Sequence, residues 1–380
     1  MSYYLTEEQE LIRDSAREFA ETELKPNAKK LDETHEFPWE WVKRAGELGF
    51  FGLAVSEEYG GVGADTVSEA LVMEEIAKYS ASLGIIIDAH TSICCTLLEM
   101  VGTPEQKSKY LLPAAKGENL MSFAMTEPSA GSDAGGSKTT AVLDGGEWVI
   151  NGSKAWISNI AAAKTYVITA KTDLEAKGSK GISSFIVEAD TPGLVIGSPE
   201  HKMGLNNSYT GEIFFKNMRI PKDNLLGQLN RGFPLFLKGL DKGRIALSSV
   251  AIGTAEGAYE RALAYSKERQ QFGRPISSFQ AIAFKLAEMA TSIELARTLL
   301  YRVARMCDDK MLFTKEAAML KFYSTEMAKE VCSKALEIHG GNGYSRDCEV
   351  ERYVRDAQGL TLTEGTAEIN RLVVSNHILA

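Results

Sequence analysis

The sequence predicts an α+β fold in which a block of helices, a block of strands and a second block of helices follow one another. Three observations carry that expectation. Apolar residues recur with helical spacing from Thr6 to about residue 118, short β-rich runs fill about 121 to 229, and the helical period returns from about 232. Segregated blocks pack as helical layers beside an antiparallel sheet, whereas a doubly wound parallel sheet alternates strand and helix along the chain. The expected division is a helical domain over 1–120, a β domain over 121–230 and a C-terminal four-helix bundle over 231–380.

Each block has local reasons. Thr6 and Gln9 stand in capping-box spacing ahead of Leu11, Ile12, Ala16 and Phe19, which opens the first helix. A turn-rich run, EEYGGVGAD, separates the early helices from one beginning near Thr66. In the middle block EWVI, TYVITAK, SSFIVE and EIFFKNMRI read as strands, and Asp144-Gly145-Gly146 and Asn151-Gly152 both read as hairpin turns. The last block holds long helical runs such as FTKEAAMLKFYSTEMAKEVCSKALEIH.

With 380 residues and 44% hydrophobic content the chain can bury a large core. Its net charge of -9, with acids and bases interspersed, leaves no basic face to track a phosphate backbone, so nucleic acid is not an expected partner. The start, MSYYLTEEQELIRD, shows no basic segment followed by an apolar stretch, so no leader is expected. No uninterrupted apolar run approaches the ~20 residues that span a bilayer, so membrane insertion is not expected. Five cysteines (Cys94, Cys95, Cys307, Cys332, Cys348) without CxxC spacing argue against a disulfide framework or zinc site, and a reducing cytoplasm is the expected location. The five histidines are scattered without ligand spacing, and no metal is expected.

Four stretches carry candidate chemistry. Met125-Thr126-Glu127-Pro128-Ser129-Ala130-Gly131-Ser132-Asp133 is a polar turn that could seat a ligand or be an ordinary loop. In Lys154-Ala155-Trp156-Ile157-Ser158-Asn159, strand alternation puts Trp156 and Ser158 on one face, a wall suited to a flat heteroaromatic ring; taken alone, Trp156 reads as a core residue. Residues 337–356 contain His339-Gly340-Gly341-Asn342-Gly343-Tyr344, Arg352 and Asp356, with more glycines than a helix-ending turn needs. Thr363-Glu364-Gly365-Thr366 follows the uncharged run AQGLTL, and a carboxylate in an apolar cleft has the raised pKa of a general base.

These stretches, with Arg269-Gln270-Gln271-Phe272-Gly273-Arg274-Pro275, stand in an order and spacing that resembles the acyl-CoA dehydrogenase family over essentially the whole chain. The resemblance implies FAD as cofactor, with Phe123, Met125 and Thr126 lining the isoalloxazine, Trp156 packing on it and Ser158 bonding near N5. It places Arg269, Phe272, Gln280, Gly340 and Gly341 against the FAD of a neighbouring subunit, and so implies a homo-oligomer, usually a homotetramer. Glu337 stands where the family usually has Gln, which puts its own FAD contact in doubt; Thr366 and Glu368 are the remaining FAD contacts implied. Ser132, Leu240, Asp241, Arg244, Thr363 and Gly365 match substrate-contacting positions, and an electron-transferring flavoprotein is the implied acceptor. Family members carry the base either in this Glu-Gly-Thr motif or just before the arginine of a Gly-Leu-Asp-x-x-Arg stretch; the latter is Gly243 here, so Glu364 is the implied base.

Two departures bear on the acyl group. Thr363 replaces a common tyrosine and widens the cavity. Asp88 lies on a helix, ASLGIIIDAHTSICC, that borders the acyl pocket in the family; helical spacing groups it with Gly84, Thr91, Ser92 and Cys95 in a polar stripe. Asp88 either faces solvent or caps a neighbour, or it supplies a second acid/base opposite Glu364. The second case suggests a cyclic or branched acyl-CoA, of the cyclohexane- or cyclohexene-carboxyl-CoA type, with an ordinary butyryl-type substrate as the alternative. A dicarboxylic substrate fits less well, since residues 81–87 offer no arginine. An inactive flavoprotein assembly scaffold and an oxidase are the competing classes.

Overall fold

The computed structural model describes residues 5–379. The first helix, α1 (Glu7–Phe19), opens with the expected capping box: Thr6 Oγ1 accepts from the Gln9 amide and Gln9 Oε1 from the Thr6 amide. It is followed by α2 (Ala28–Thr34), α3 (Trp39–Glu47), α4 (Thr66–Ala77) and α5 (Ala81–Asp88). Asp65 caps α4 through the Ser68 amide at 2.8 Å, and Ser80 caps α5 through the Leu83 amide at 3.1 Å. After Asp88 the helix widens into a π-helical stretch, Ala89–Cys95, before α6 (Thr96–Val101). Sequence periodicity predicts an ordinary α-helix here; π turns are rare and gather at functional sites. The run Ala81–Val101 is long and apolar enough to cross a membrane, but it is buried inside the fold. Short helices α7 (Pro104–Gln106) and α8 (Leu112–Ala115) complete the block.

Strands β1 (Met121–Ala124), β2 (Thr140–Asp144), β3 (Glu147–Ser158), β4 (Thr165–Lys171), β5 (Ile182–Glu188), β6 (Leu194–Pro199), β7 (Thr210–Pro221) and β8 (Leu225–Leu226) form one sheet in the order β6-β7-β3-β2-β4-β5-β8, with β1 beside β4. Most pairs are antiparallel, but β1 runs parallel to β4. Gly145 and Gly146 make the expected two-residue hairpin, with Asp144 opposite Glu147. The second expected hairpin is absent. Asn151-Gly152 lies inside β3, at a register shift against β7, where Gly152 (φ 142°) sits so close to Thr139 that an added Cβ would meet its Cα at 2.7 Å. The turn residues serve a bulge, because β3 continues through them to pair with β7 on the other side.

The C-terminal block comprises α9 (Gly232–Glu268), α10 (Gln280–Asp308), α11 (Thr314–His339), α12 (Val350–Leu360) and α13 (Ala367–Leu379). Its core merges with that of the N-terminal helices: Met73, Ile76, Leu83 and Ile86 pack in one cluster with Val250, Ala251, Ala328 and Val331. The sheet keeps its own core around Ile150, Tyr166, Phe185 and Met218. A third cluster ties the two together, with Ile93 and Leu97, Met121 of β1, Val167 of β4 and Phe236 and Leu240 of α9. Through this joint the start of α9, the π-helical stretch and β1 meet.

Candidate active site

Glu364 sits in the turn between α12 and α13 with φ 53°, a left-handed conformation. A non-glycine residue held there costs on the order of 1 to 3 kcal/mol and persists where its surroundings over-determine it. Lys321 of α11 supplies much of that determination. Its fully buried ammonium donates to the Thr361 carbonyl at 3.1 Å and the Gly365 carbonyl at 2.6 Å, bracketing Glu364 on both sides. Asn370 Nδ2 adds bonds of 3.0 Å to the carbonyls of Gly365 and Thr366.

The carboxyl so placed lies against Gly243 of α9. A Cβ on Gly243 would stand 2.8 Å from Glu364 Oε2 and 2.9 Å from Oε1. The other base position known from the resemblance is therefore blocked as well as vacant. One residue on, buried Arg244 pairs with Asp241 at 2.8 Å, and Asp241 also accepts from Thr314 Oγ1 at 2.6 Å. Arg244 Nε has no hydrogen-bond partner among the described residues. Leu240 is buried in the joint between sheet and helices. Thr363 is half-buried and spends its hydroxyl on the Leu360 carbonyl.

Asp88 is buried, which overturns the solvent-facing alternative. Its carboxyl reaches hydrogen-bonding contact with that of Glu364. Asp88 Oδ1 and Glu364 Oε2 are both shielded from solvent with no hydrogen-bond partner among the described residues. Burial and then the Glu364 charge push Asp88 well above the usual carboxylate range. Burial also raises Glu364, but the Asp88 hydrogen bond, Lys321 and Arg244 all pull it back down. Both acids are raised overall, Asp88 the more strongly, so a proton held by the pair favours Asp88 and leaves Glu364 the readier anion. A carboxylate with two cations behind it and a donor beside it can accept a proton from carbon.

The rest of the predicted polar stripe divides. Thr91 and Ser92, on the π-helical stretch, donate to Glu69 Oε1 of α4 at 3.2 and 2.9 Å, and Glu69 Oε2 lies 3.4 Å from Lys242 Nζ. Gly84 is instead a packing position: a Cβ there would meet Val250 Cγ2 at 2.7 Å. Cys95 is buried in the same core as Ile93.

The residues assigned to the flavin by resemblance gather at the sheet's edge. Phe123, Met125 and Thr126 are half-buried at the end of β1, and Phe123 stacks on Phe236 with centroids 4.6 Å apart. Trp156 is 64% exposed with φ 60°, at the second bulge of β3; it is not a core residue. Ser158 is half-buried and the intervening Ile157 buried, while the bulge between Lys154 and Ile157 interrupts strict alternation at Trp156. A large aromatic ring exposed at a bulge offers a stacking face to a flat ligand. Ser132 is exposed on the following loop.

Residues that sequence reasoning passed over hold this wall in place. Lys154 Nζ, fully buried, donates to the Met125 carbonyl (3.0 Å), Glu127 Oε1 (2.9 Å) and Thr169 Oγ1 (3.1 Å). Burial pushes its pKa down to about 8 against the pull of Glu127. Glu127 also accepts from the amides of Lys138 and Thr139. His90 joins the π-helical stretch to the sheet: Nδ1 accepts from the Met121 amide at 2.9 Å and Nε2 donates to the Ala114 carbonyl at 3.1 Å. Asn159 Nδ2 donates to the carbonyls of Ile86 and Met121. The signal for Lys154 was its place on the inward face of a strand, and for Lys321 its place beside Leu320, Ser324 and Thr325 on a buried helix face.

Arg269, Phe272, Gln280, Gly340 and Gly341 are exposed and stand apart from Glu364, with Phe272 92% exposed. Glu337 is exposed and ion-paired with Lys285 at 2.5 Å. Thr366 accepts from the Ile369 amide at the start of α13, and Glu368 is exposed, 3.7 Å from Arg371. A charged cleft of ≈ 660 Å³ lies elsewhere, between α1, α4, α9 and α10. Its walls neutralise one another, with Arg297 2.8 Å from both Glu74 and Glu256 and Arg17 2.9 Å from Glu75.

Comparison with known proteins agrees with this geometry. The N-terminal, middle and C-terminal domains of acyl-CoA dehydrogenase match residues 6–118, 122–218 and 230–379. A short-chain specific acyl-CoA dehydrogenase of Clostridium acetobutylicum is 46% identical over 378 residues, covering 100% of both chains. Butyryl-CoA dehydrogenase from Megasphaera elsdenii superposes with a TM-score of 0.98 at 38% identity, and a chain from a structure of the electron transferring flavoprotein of Acidaminococcus fermentans with a TM-score of 0.98 at 44% identity, each covering 100% of both chains.

Proposed function

The chain belongs to the acyl-CoA dehydrogenase family, and on that premise we propose that Glu364 is the base that takes the α-proton in the α,β-dehydrogenation of an acyl-CoA thioester. The observation that carries this reading is the Glu364 carboxyl, whose Oε2 is shielded from solvent, whose anionic form Lys321 and Arg244 favour, and to which Gly243 gives room. FAD, when bound, supplies the hydride acceptor for the β-carbon. Phe123, Met125, Thr126, Trp156 and Ser158 would hold its ring; Arg269, Phe272, Gln280, Gly340 and Gly341 would reach the FAD of a neighbouring copy, which makes the working form an oligomer. Ser132, Leu240, Asp241, Arg244, Thr363 and Gly365 would line the path of the thioester. Replacing Glu364 by Gln removes the proton acceptor while keeping size, so the rate of anaerobic flavin bleaching by acyl-CoA should fall by ~10² or more with flavin retained. Undiminished bleaching would sink the assignment.

For the acyl group, the relatives named for short-chain and butyryl substrates favour a short straight chain. A cyclic group of the cyclohexane-carboxyl type is the second reading, favoured by Asp88, whose carboxyl faces Glu364 and could serve a carbon other than Cα. Bleaching rates with butyryl-CoA, isobutyryl-CoA and cyclohexanecarboxyl-CoA, in the native protein and Asp88→Asn, decide between them: a loss confined to the cyclic ester supports the second reading. The similarity to a chain from the A. fermentans flavoprotein structure supports an electron-transferring flavoprotein as acceptor. No bleaching by any ester would favour the inactive scaffold, and rapid recovery of colour in air an oxidase.

A further inference from the structure

Strand β1 and the far end of β3 lie side by side without a ladder between them: among the described residues β1 pairs with β4, and β2 accompanies β3 only as far as Asn151. Other bonds cross the gap, and each takes a carbonyl of one segment into the other. The Ala155 amide donates to the Thr126 carbonyl at 2.9 Å, and Lys154 Nζ to the Met125 carbonyl at 3.0 Å. In the opposite sense Ser122 Oγ donates to the Ser158 carbonyl at 2.5 Å. Lys154 stands opposite Ile213, the last pair before the register shift that carries Trp156 with its φ of 60°. Its ammonium, with no exposed surface, spends its other donors on Glu127 Oε1 at 2.9 Å and on Thr169 Oγ1 of β4 at 3.1 Å. Glu127 in turn accepts from the amides of Lys138 at 2.6 Å and Thr139 at 3.0 Å, ahead of β2. One side chain from β3 thus reaches the end of β1, the turn after it, and β4. An ammonium withdrawn from water is costly even when every donor is matched, and a methionine of like volume would pack there without that cost.

We propose that Lys154, held by Glu127, is a positioning residue for FAD: it fixes the Met125 and Thr126 wall against the Trp156 and Ser158 wall, so that the slot for the isoalloxazine is set before the ring enters. This rests on the reading of those four residues as the walls. The cross-links fall on the carbonyls of Met125, Thr126 and Ser158 themselves, so the walls are bound to each other at the residues that would meet the ring. A left-handed Trp156 persists only where its surroundings over-determine it, and the bonds of Lys154 and Ala155 do so on the side facing β1. A slot preorganised in this way spares the cofactor the ordering of its own walls, which tightens binding and slows release.

The test reads cofactor release, not turnover. FAD-loaded protein is diluted into buffer and the fluorescence of released FAD is followed, beside the visible spectrum of the bound flavin and the urea midpoint. Lys154→Met alone strands the Glu127 charge, so the pair is neutralised together in Lys154→Met/Glu127→Gln, which keeps volume and leaves an acceptor for the Lys138 and Thr139 amides. Release from this variant should quicken by about tenfold or more, and the visible band of the flavin that stays bound should shift. Met218→Ala, which loosens the sheet core beside Ile150 and away from the bulge, is the comparison for lost stability alone and should leave release and spectrum unchanged. Native release and an unshifted band in the paired variant would overturn the proposal, as would equal quickening in Met218→Ala. Should the paired variant not fold, Thr169→Val removes one acceptor of Lys154 and keeps its shape; release about threefold faster supports the proposal and native release overturns it. An unmodified protein that holds no FAD would overturn the flavin reading and this one with it, whereas native retention with unchanged variants overturns the positioning role alone.

Discussion

A lysine with no exposed surface is tolerable when its donors find acceptors, and Lys321 finds two carbonyls that flank the base. Its charge also favours the anionic form of Glu364. Removing that charge in Lys321→Met should raise the pKa of Glu364, so the acidic limb of the bleaching rate moves to higher pH. Burial holds Lys321 itself down to about 8, so the native protein should lose the same support as the pH climbs past that value. Rate against pH for both proteins, at equal flavin content, checks the sign. Gly243→Ala is the companion test: with a Cβ 2.8 Å from Glu364 Oε2 the carboxyl must shift, and misplacement of a reacting group by about 1 Å costs ~10²-fold. Glu364 was picked out by the resemblance, since an acid before glycine after an uncharged run is weak as an isolated pattern. Lys321 was not, because a lysine in a helical run reads as solvated until the carbonyls it reaches, 40 and 44 residues onward, are brought back to it.

At the scale of elements, the joint between the π-helical stretch and β1 depends on a neutral His90. Burial pushes its pKa from 6.5 down to about 4. The unfolded chain therefore binds the proton more readily between those values, and stability falls as the pH drops through that window, by about 3 kcal/mol at its foot. Urea midpoints from pH 7 to 4 should fall more steeply in the native protein than in His90→Gln, which cannot titrate. The Lys154–Glu127 pair pins the turn after β1 in the same joint. Lys154→Met leaves Glu127 buried without its cation, which costs about 3 to 5 kcal/mol, and denaturant unfolding together with weaker flavin retention would register it. The capping box at Thr6 and the hairpin at Gly145-Gly146 were legible because each is settled by residues two or three apart. Asn151-Gly152 misled because β7 and Thr139, far along the chain, decide between a turn and a bulge.

The whole subunit leaves large apolar side chains in water: Phe272 at 92% and Tyr344 at 86% exposure, both beside residues that resemblance assigns to a neighbour's cofactor. Exposure of this kind marks association surfaces. Phe272→Asp should shift the protein towards smaller species in light scattering and lower its flavin content, with little change in the subunit's own unfolding midpoint. The order of the three blocks was legible because period and composition change sharply at their edges; the meeting of Asp88 with Glu364, 276 residues apart, was legible only as one of two alternatives, since the packed fold that brings α5 to the turn before α13 decides between them. The absence of a side chain at Gly243 also bears on ancestry. A lineage that moved its base from one of the family's two addresses to the other had to cross a stage with both acids wedged into one space or with neither. Such a passage is slow by single substitutions, so the address of the base should mark deep branches in the genealogy of these enzymes more durably than the lining of their acyl pockets.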